Sequence, residues 1–228
     1  MRGKTCFIVL TLSAILYQTN CNKPEEYIGK PFADAVYTGG PQTIPGIIQC
    51  EYYDFGGEGI AYHDDDFINS GSGVLNPADG SYLHEFRKEE SVDISYTKFT
   101  VEQTDNSPFN LVNPGKDQHY VGWTSAGEWV KYTVNVTRSG KYKIGLLYTS
   151  RFGGQISFQV NDKPGTGPIE LPQTYNPADT VQWRQWHHWN YLGDLAHIEL
   201  KKGIQVITLS ILTQGLMNFE HFEFTRLE

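Results

Sequence analysis

Hydrophobic and polar residues alternate along several stretches of the chain. In "YKIGLLY" Tyr142, Ile144, Leu146 and Tyr148 recur every second position, as do Ile156, Phe158 and Val160 in "QISFQVN" and Ile207, Leu209 and Ile211 in "IQVITLSIL". Val130, Tyr132, Val134 and Val136 make a fourth set, which leaves Trp129 for the opposite face. A period of two puts each set on one face of a β-strand. Turn residues separate the runs: "RSGK" at 138–141, "NDKPGTGP" at 161–168 and "KKG" at 201–203. Beyond the first twenty residues no stretch keeps a helical period. The pattern predicts an all-β chain folded as an antiparallel β-sandwich.

Three segments depart from it. Arg2 and Lys4 precede "CFIVLTLSAIL", an apolar run too short to span a bilayer with margin, so residues 1–20 read as a secretory signal. Residues 21–43 read as a tether or leader, and 44–228 as the sandwich. The third segment, at about 66–120, is rich in Gly, Asn, Ser, Pro and Asp and offers only weak strands such as "SVDISYTKF". A connection that long inside a compact domain is a functional loop or an insertion. Cys21 followed by "NKPEE" resembles the layout of a bacterial lipoprotein signal, but Gln18, Thr19 and Asn20 depart from the small and aliphatic residues of that pattern. Lipidation at Cys21 and plain cleavage near it both stay open, and either places the protein outside the cytoplasm, secreted or as an outer-membrane lipoprotein of the cell envelope.

Charge narrows the partners. With 26 acidic and 18 basic residues the chain carries a net charge of −8, and losing Arg2 and Lys4 makes it more negative, which argues against nucleic acid. Of the three cysteines only Cys50 lies in the body, in the strand-like "IIQCEYY", so no disulfide framework forms and Cys50 reads as a small buried hydrophobe.

The stretch "VGWTSAGEWVKY" at 121–132 sets two tryptophans around a Ser-Ala-Gly turn. Together with "IPGIIQCEYYDFGGEGIAYHD" at 44–64 and "LMNFEHFEF" at 216–224 it resembles the family 6 carbohydrate-binding modules. The resemblance runs over about 44–226, broken by the 66–120 segment, and implies a jelly-roll sandwich of the galactose-binding-like type. It implies that Trp123, on the turn before the "GEWVKY" strand, is a ring that stacks on a sugar face. It also implies a second ring in a W-x-x-W pattern, where "WHHW" offers Trp186 as the platform and Trp189 as the core residue, while "WRQW" offers Trp183 and Trp186. Asn218, whose amide both donates and accepts, is the implied partner of a vicinal diol. Glu58 in "GGEG" is a candidate hydroxyl acceptor or a solvated loop carboxylate, and Tyr62 an edge contact or a core tyrosine. Physically, a pyranose lays its C–H face on an indole while its hydroxyls need partners around the rim.

Gln49 and Glu51 stand two apart on an expected strand and so point to one face. The resemblance implies a structural Ca²⁺ there, completed by Glu223 in the last strand, and oxygen ligands of this mix suit that ion. His187 and His188 do not suggest zinc, because adjacent strand residues face opposite ways and no zinc motif occurs. Asp64, Asp65 and Asp66 form an acid run that reads as a solvated loop, and no nucleophile-elbow, phosphate-loop or dinucleotide motif is present. The expectation is a monomeric, non-catalytic binder of poly- or oligosaccharide. A small glycoside hydrolase or lyase using the same cleft, or a protein-binding adhesion module, is the alternative.

Overall fold

The alternating stretches become the long strands of two stacked sheets. The computed structural model describes residues 26–213 and 215–227, so the expected signal at 1–20 and Cys21 lie outside the described residues. In chain order the strands are β1 (Gln42–Ile44), β2 (Gly46–Gln49), β3 (Tyr62–His63), β4 (Ile94–Tyr96), β5 (His119–Val121), β6 (Trp129–Val136) and β7 (Gly140–Ser150). They continue as β8 (Gly154–Val160), β9 (Lys163–Pro164), β10 (Ile169–Leu171), β11 (Asn190–Leu200), β12 (Gly203–Ile211) and β13 (Met217–Arg226).

One sheet runs β1-β6-β12-β8-β10, with β3 on β6 and β9 on β8; the other runs β11-β7-β13-β5-β4, with β2 on β13. All pairs are antiparallel except β1 on β6. The residues counted at a period of two meet between the sheets: Val130, Tyr132, Val134 and Val136 from β6, Tyr142 to Tyr148 from β7, and Ile207 to Ile211 from β12 are all buried. Phe158 of β8 meets Phe222 of β13 edge-on, ring centroids 4.9 Å apart, which joins the layers directly. Each such side chain stabilises the fold by about 1.5–3 kcal/mol relative to exposure. Cys50 is fully buried among them, as expected of a small hydrophobe.

In β13 the register slips between Phe219 and His221. The extra residue, Glu220, lets Phe219 and Phe222 both face the core and leaves its own carboxylate buried.

Two segments are more structured than their composition suggests. The described part of the leader, 26–43, is packed rather than a free tether: Phe32 is buried, stacks on Tyr52 at 4.9 Å and meets Phe86 edge-on at 5.5 Å. Phe86 belongs to the 66–120 segment, and its neighbour Arg87 clamps that segment to the sandwich. The Arg87 guanidinium lies 3.4 Å from the centre of the Tyr53 ring, donates to the carbonyls of Tyr53 and Asp54, and pairs with Glu90 at 2.7 Å. A buried arginine with this many partners makes the long connection part of the body. The connection then returns through β4, which extends the second sheet beside β5.

Candidate functional site

Where β5 and β13 end, the loops enclose an open cleft of about 470 Å³, lined by Leu75, Tyr120, Trp123, Trp183, Trp186, His187, Leu216 and Asn218. Trp123 occupies the first turn after β5 with φ of 49° and is 37% exposed. A bulky residue held at positive φ is an uncommon conformation, and strain of that kind collects at binding sites. Nothing in the core requires that ring to stay uncovered.

Both rings offered by the W-x-x-W patterns line the cleft. Residues Gln182–Trp186 form a 3-10 helix, in which positions three apart share one side, and Trp183 and Trp186 therefore line the cleft together. Trp183 is 48% exposed, whereas Trp186 is half-buried with the Arg151 guanidinium 4.2 Å from its ring centre. The turn is locked from behind. Arg184 grips Asp179 through Nε at 2.7 Å and Nη2 at 2.8 Å and reaches the Glu102 carbonyl through Nη1 at 2.9 Å. His188 meets the same carboxylate at 2.8 Å, and the Arg184 guanidinium holds the Asp179 carboxyl well below the usual range. Trp189 is fully buried, as expected of the core member of the pattern, and donates its indole N–H to Asp105 at 2.7 Å.

Asn218 reaches the cleft from the start of β13, but half of its amide is committed elsewhere. Its Nδ2 donates to Thr149 Oγ1 at 2.9 Å and to the Trp186 carbonyl at 2.8 Å, and Thr149 Oγ1 donates to that carbonyl at 2.6 Å. Both amide hydrogens are spent fixing the tryptophan turn, so only Oδ1 is left to face a ligand, as an acceptor. The expectation that this amide both donates and accepts is corrected accordingly.

Two expected contacts lie elsewhere. Tyr62 is buried beside Val130 with its ring edge-on to Tyr53 at 5.5 Å, a core tyrosine and not a cleft residue. Glu58 is bonded to His63 Nδ1 at 2.5 Å and to the Asp64 backbone N–H at 3.1 Å, outside the cleft lining. Sequence spacing missed Leu75, Tyr120, His187 and Leu216: the first belongs to the long connection, and no periodic signal marks the irregular backbone that presents His187 and Leu216.

The oxygen donors expected of a cation site are also rearranged. The strand ends at Gln49, and Glu51 falls in a 3-10 turn, Cys50–Tyr52, so the two do not share a strand face. Glu51 is buried, its Oε2 has no hydrogen-bond partner, and burial together with the charge of Glu220 pushes its carboxyl well above the ordinary range. Glu223 is engaged by the Tyr191 hydroxyl. The buried acid of the last strand that faces Glu51 electrostatically is Glu220, not Glu223.

From the acid run, Asp64 and Asp65 come together with Glu128, one oxygen from each within 4.8 Å of the others. Burial pushes Asp64 up to about 7 and Glu128 up to about 8. The recess beside Asp64, Glu128 and Trp129 measures about 20 Å³, room for roughly one water and not for a sugar.

Several solved structures are similar to this chain. A module from Clostridium stercorarium in complex with cellobiose is 14% identical with a TM-score of 0.51, over 83% of this chain and 100% of that one. A β-1,3-glucan binding module from Bacillus halodurans is 18% identical with a TM-score of 0.47, over 81% of this chain and 98% of the other. A module from Cellvibrio mixtus lichenase 5A in complex with cellotriose is 22% identical with a TM-score of 0.40, over 48% and 79%. No curated protein matches the chain. The profile of the carbohydrate binding module, family 6, matches residues 95–226, more than half of the sequence. With the jelly-roll sheets in place and the indole-walled cleft at their end, the chain belongs to the family 6 carbohydrate-binding modules.

Proposed function

We propose that the cleft takes up a poly- or oligosaccharide outside the cytoplasm, and does so without chemistry. The observation that carries this is the convergence of three indoles, Trp123, Trp183 and Trp186, on an open space bordered by an unengaged amide oxygen of Asn218. Sugar C–H faces stack on such rings, each contributing on the order of 1–3 kcal/mol by analogy with base stacking. Hydrogen bonds at about 0.5–1.5 kcal/mol net bring the sum to micromolar or millimolar affinity after association costs. A non-catalytic role is supported by the composition of the cleft, whose lining holds no carboxylate pair to act on a glycosidic bond. The raised acids Asp64 and Glu128 stand at a recess too small for a sugar ring.

Calcium is proposed as a structural ion. The unpartnered, buried Oε2 of Glu51, with a second buried acid, Glu220, whose Oε2 meets His221 Nδ1, fits a hard cation, which would offset the charge of the two carboxylates. Gln49, half-buried at the preceding strand end, would complete the oxygen set. Export through the signal at 1–20, with or without a lipid at Cys21, is supported by the basic start and apolar run, and a monomer is the proposed state.

Affinity electrophoresis in gels containing cello-oligomer-rich, β-1,3-glucan, xylan and mannan polysaccharides tests the binding role. Retention of the unaltered protein, abolished in Trp123→Ala and in the Trp183→Ala/Trp186→Ala double variant with melting temperatures retained, is expected. Unchanged retention in both variants would remove the assignment, and release of reducing ends would transfer the protein to the hydrolases.

A further inference from the structure

His187 shares the cleft wall with the tryptophans, yet its ring is held by a residue far away in the sequence. Its Nδ1 lies 2.9 Å from Oδ1 of Asp105, a carboxylate with no exposed surface that the long connection delivers beneath the cleft. Asp105 also accepts the Trp189 indole N–H at 2.7 Å and the Lys98 backbone N–H at 2.7 Å. A carboxylate surrounded by donors accepts from the imidazole as well, so in the neutral ring Nδ1 carries the hydrogen and Nε2 keeps its lone pair. Nε2 has no hydrogen-bond partner among the described residues, and the edge of Trp183 flanks the ring at 6.3 Å and 73°. The backbone on both sides is fixed, by two bonds to the Trp186 carbonyl and by the His188–Asp179 pair.

We propose that His187 is a ligand-binding residue of the cleft, its Nε2 accepting a hydrogen bond from a sugar hydroxyl, and that Asp105 is the positioning residue that sets its tautomer and orientation. The inference rests on the cleft being the saccharide site. Because the ring is held before any ligand arrives, the contact forms with little ordering cost. Nε2 and the Asn218 Oδ1 are then both acceptors, so the ligand supplies both hydrogens, as a pair of hydroxyls does. The long connection thus contributes to recognition without touching the sugar through Asp105 itself.

Two substitutions separate ligand contact from support. In His187→Asn the side-chain amide takes the place of Nδ1, keeps Asp105 paired and removes Nε2; in His187→Gln the amide reaches the Nε2 position and gives up the Asp105 bond. Both are compared with the unaltered protein and Trp123→Ala on gels containing hydroxyethyl cellulose, laminarin, xylan or mannan, alongside thermal melts. The expected result is a melt within a few degrees and affinity weakened about tenfold in His187→Asn, with smaller loss in His187→Gln. Retention of His187→Asn equal to the unaltered protein, while Trp123→Ala is not retained, would overturn this inference and leave the binding role standing. Trp123→Ala retained like the unaltered protein, or no retention on any of the four gels, would overturn both. Should His187→Asn fail to fold, the ¹⁵N resonance of His187 Nε2 in the unaltered protein decides the matter: it must report an unprotonated nitrogen and move when the retaining polysaccharide's oligomer is added, and an unmoved resonance would refute the contact.

Discussion

Gly122 leaves open the space that Asn218 fills: a Cβ at position 122 would stand 2.7 Å from the Asn218 Oδ1 and 3.0 Å from the Tyr120 ring. A real Cβ essentially never comes that close to another heavy atom, so Gly122→Ala must displace the amide. Displacing it loosens the hydrogen bond from Asn218 to the Trp186 carbonyl and the one to Thr149, which itself bonds that carbonyl. The expected outcome is affinity for the retaining polysaccharide reduced about tenfold with a melting temperature lowered by only a few degrees, checked by gel retention and calorimetry.

Trp123 carries strain that glycine would release. With φ at 49°, any side chain at this position costs roughly 1 kcal/mol that glycine avoids. Trp123→Gly is therefore expected to melt at or above Trp123→Ala, while both lose retention. A glycine variant melting well below the alanine variant would show that the turn is not strained.

Cation binding at Glu51 and Glu220 predicts a melting temperature that rises with Ca²⁺ and falls with chelator. An ion at a hundredfold its dissociation constant contributes about 2.7 kcal/mol. Glu51→Gln should abolish the response and, with chelator present, melt no lower than the unaltered protein, because it removes a buried carboxylate without a partner. Glu223→Gln should leave the Ca²⁺ response intact, since Glu220 and not Glu223 is the buried acid whose charge acts on Glu51.

Stability should depend on pH in a defined direction. Burial raises Asp64 to about 7, Asp93 to about 6 and Glu128 to about 8. A carboxyl whose folded value lies above its unfolded one binds more protons in the native state, so its contribution is complete below about pH 4 and is lost as pH climbs toward 8. Asp179, lowered by Arg184, acts oppositely, its contribution disappearing only in acid. With chelator present, the melting temperature should decline from pH 5 to pH 8, and Glu128→Gln should flatten that decline.

Much of the frame was visible in the spacing of residues. Val130, Tyr132, Val134 and Val136 lie on the buried face at which a period of two places them, and Trp189 is the core ring of its pattern. What spacing could not supply was the geometry of irregular backbone. Trp183 and Trp186 look like rivals when read as a strand, where three positions apart means opposite faces; on a 3-10 turn they are partners. A period of two puts Glu51 on the strand face of Gln49, but the chain leaves the sheet one residue earlier. Nothing in the spacing marks Glu220, because the bulge that buries it has no signature in a single sequence. The packing of Phe32 and the clamp by Arg87 depend on contacts between segments that composition marked as loops.

The lining of the cleft is assembled from Leu75 of the long connection, Trp123 of the turn after β5, the tryptophan turn at 182–186, and Leu216 with Asn218 before and within β13. These pieces of backbone are remote from one another along the chain and converge only in the folded state. Any molecule lodged among them therefore works as a clasp: parting one piece from the rest means giving up the guest. Amide exchange and protease cutting in the 66–120 segment should slow on saturation, including at positions remote from Leu75.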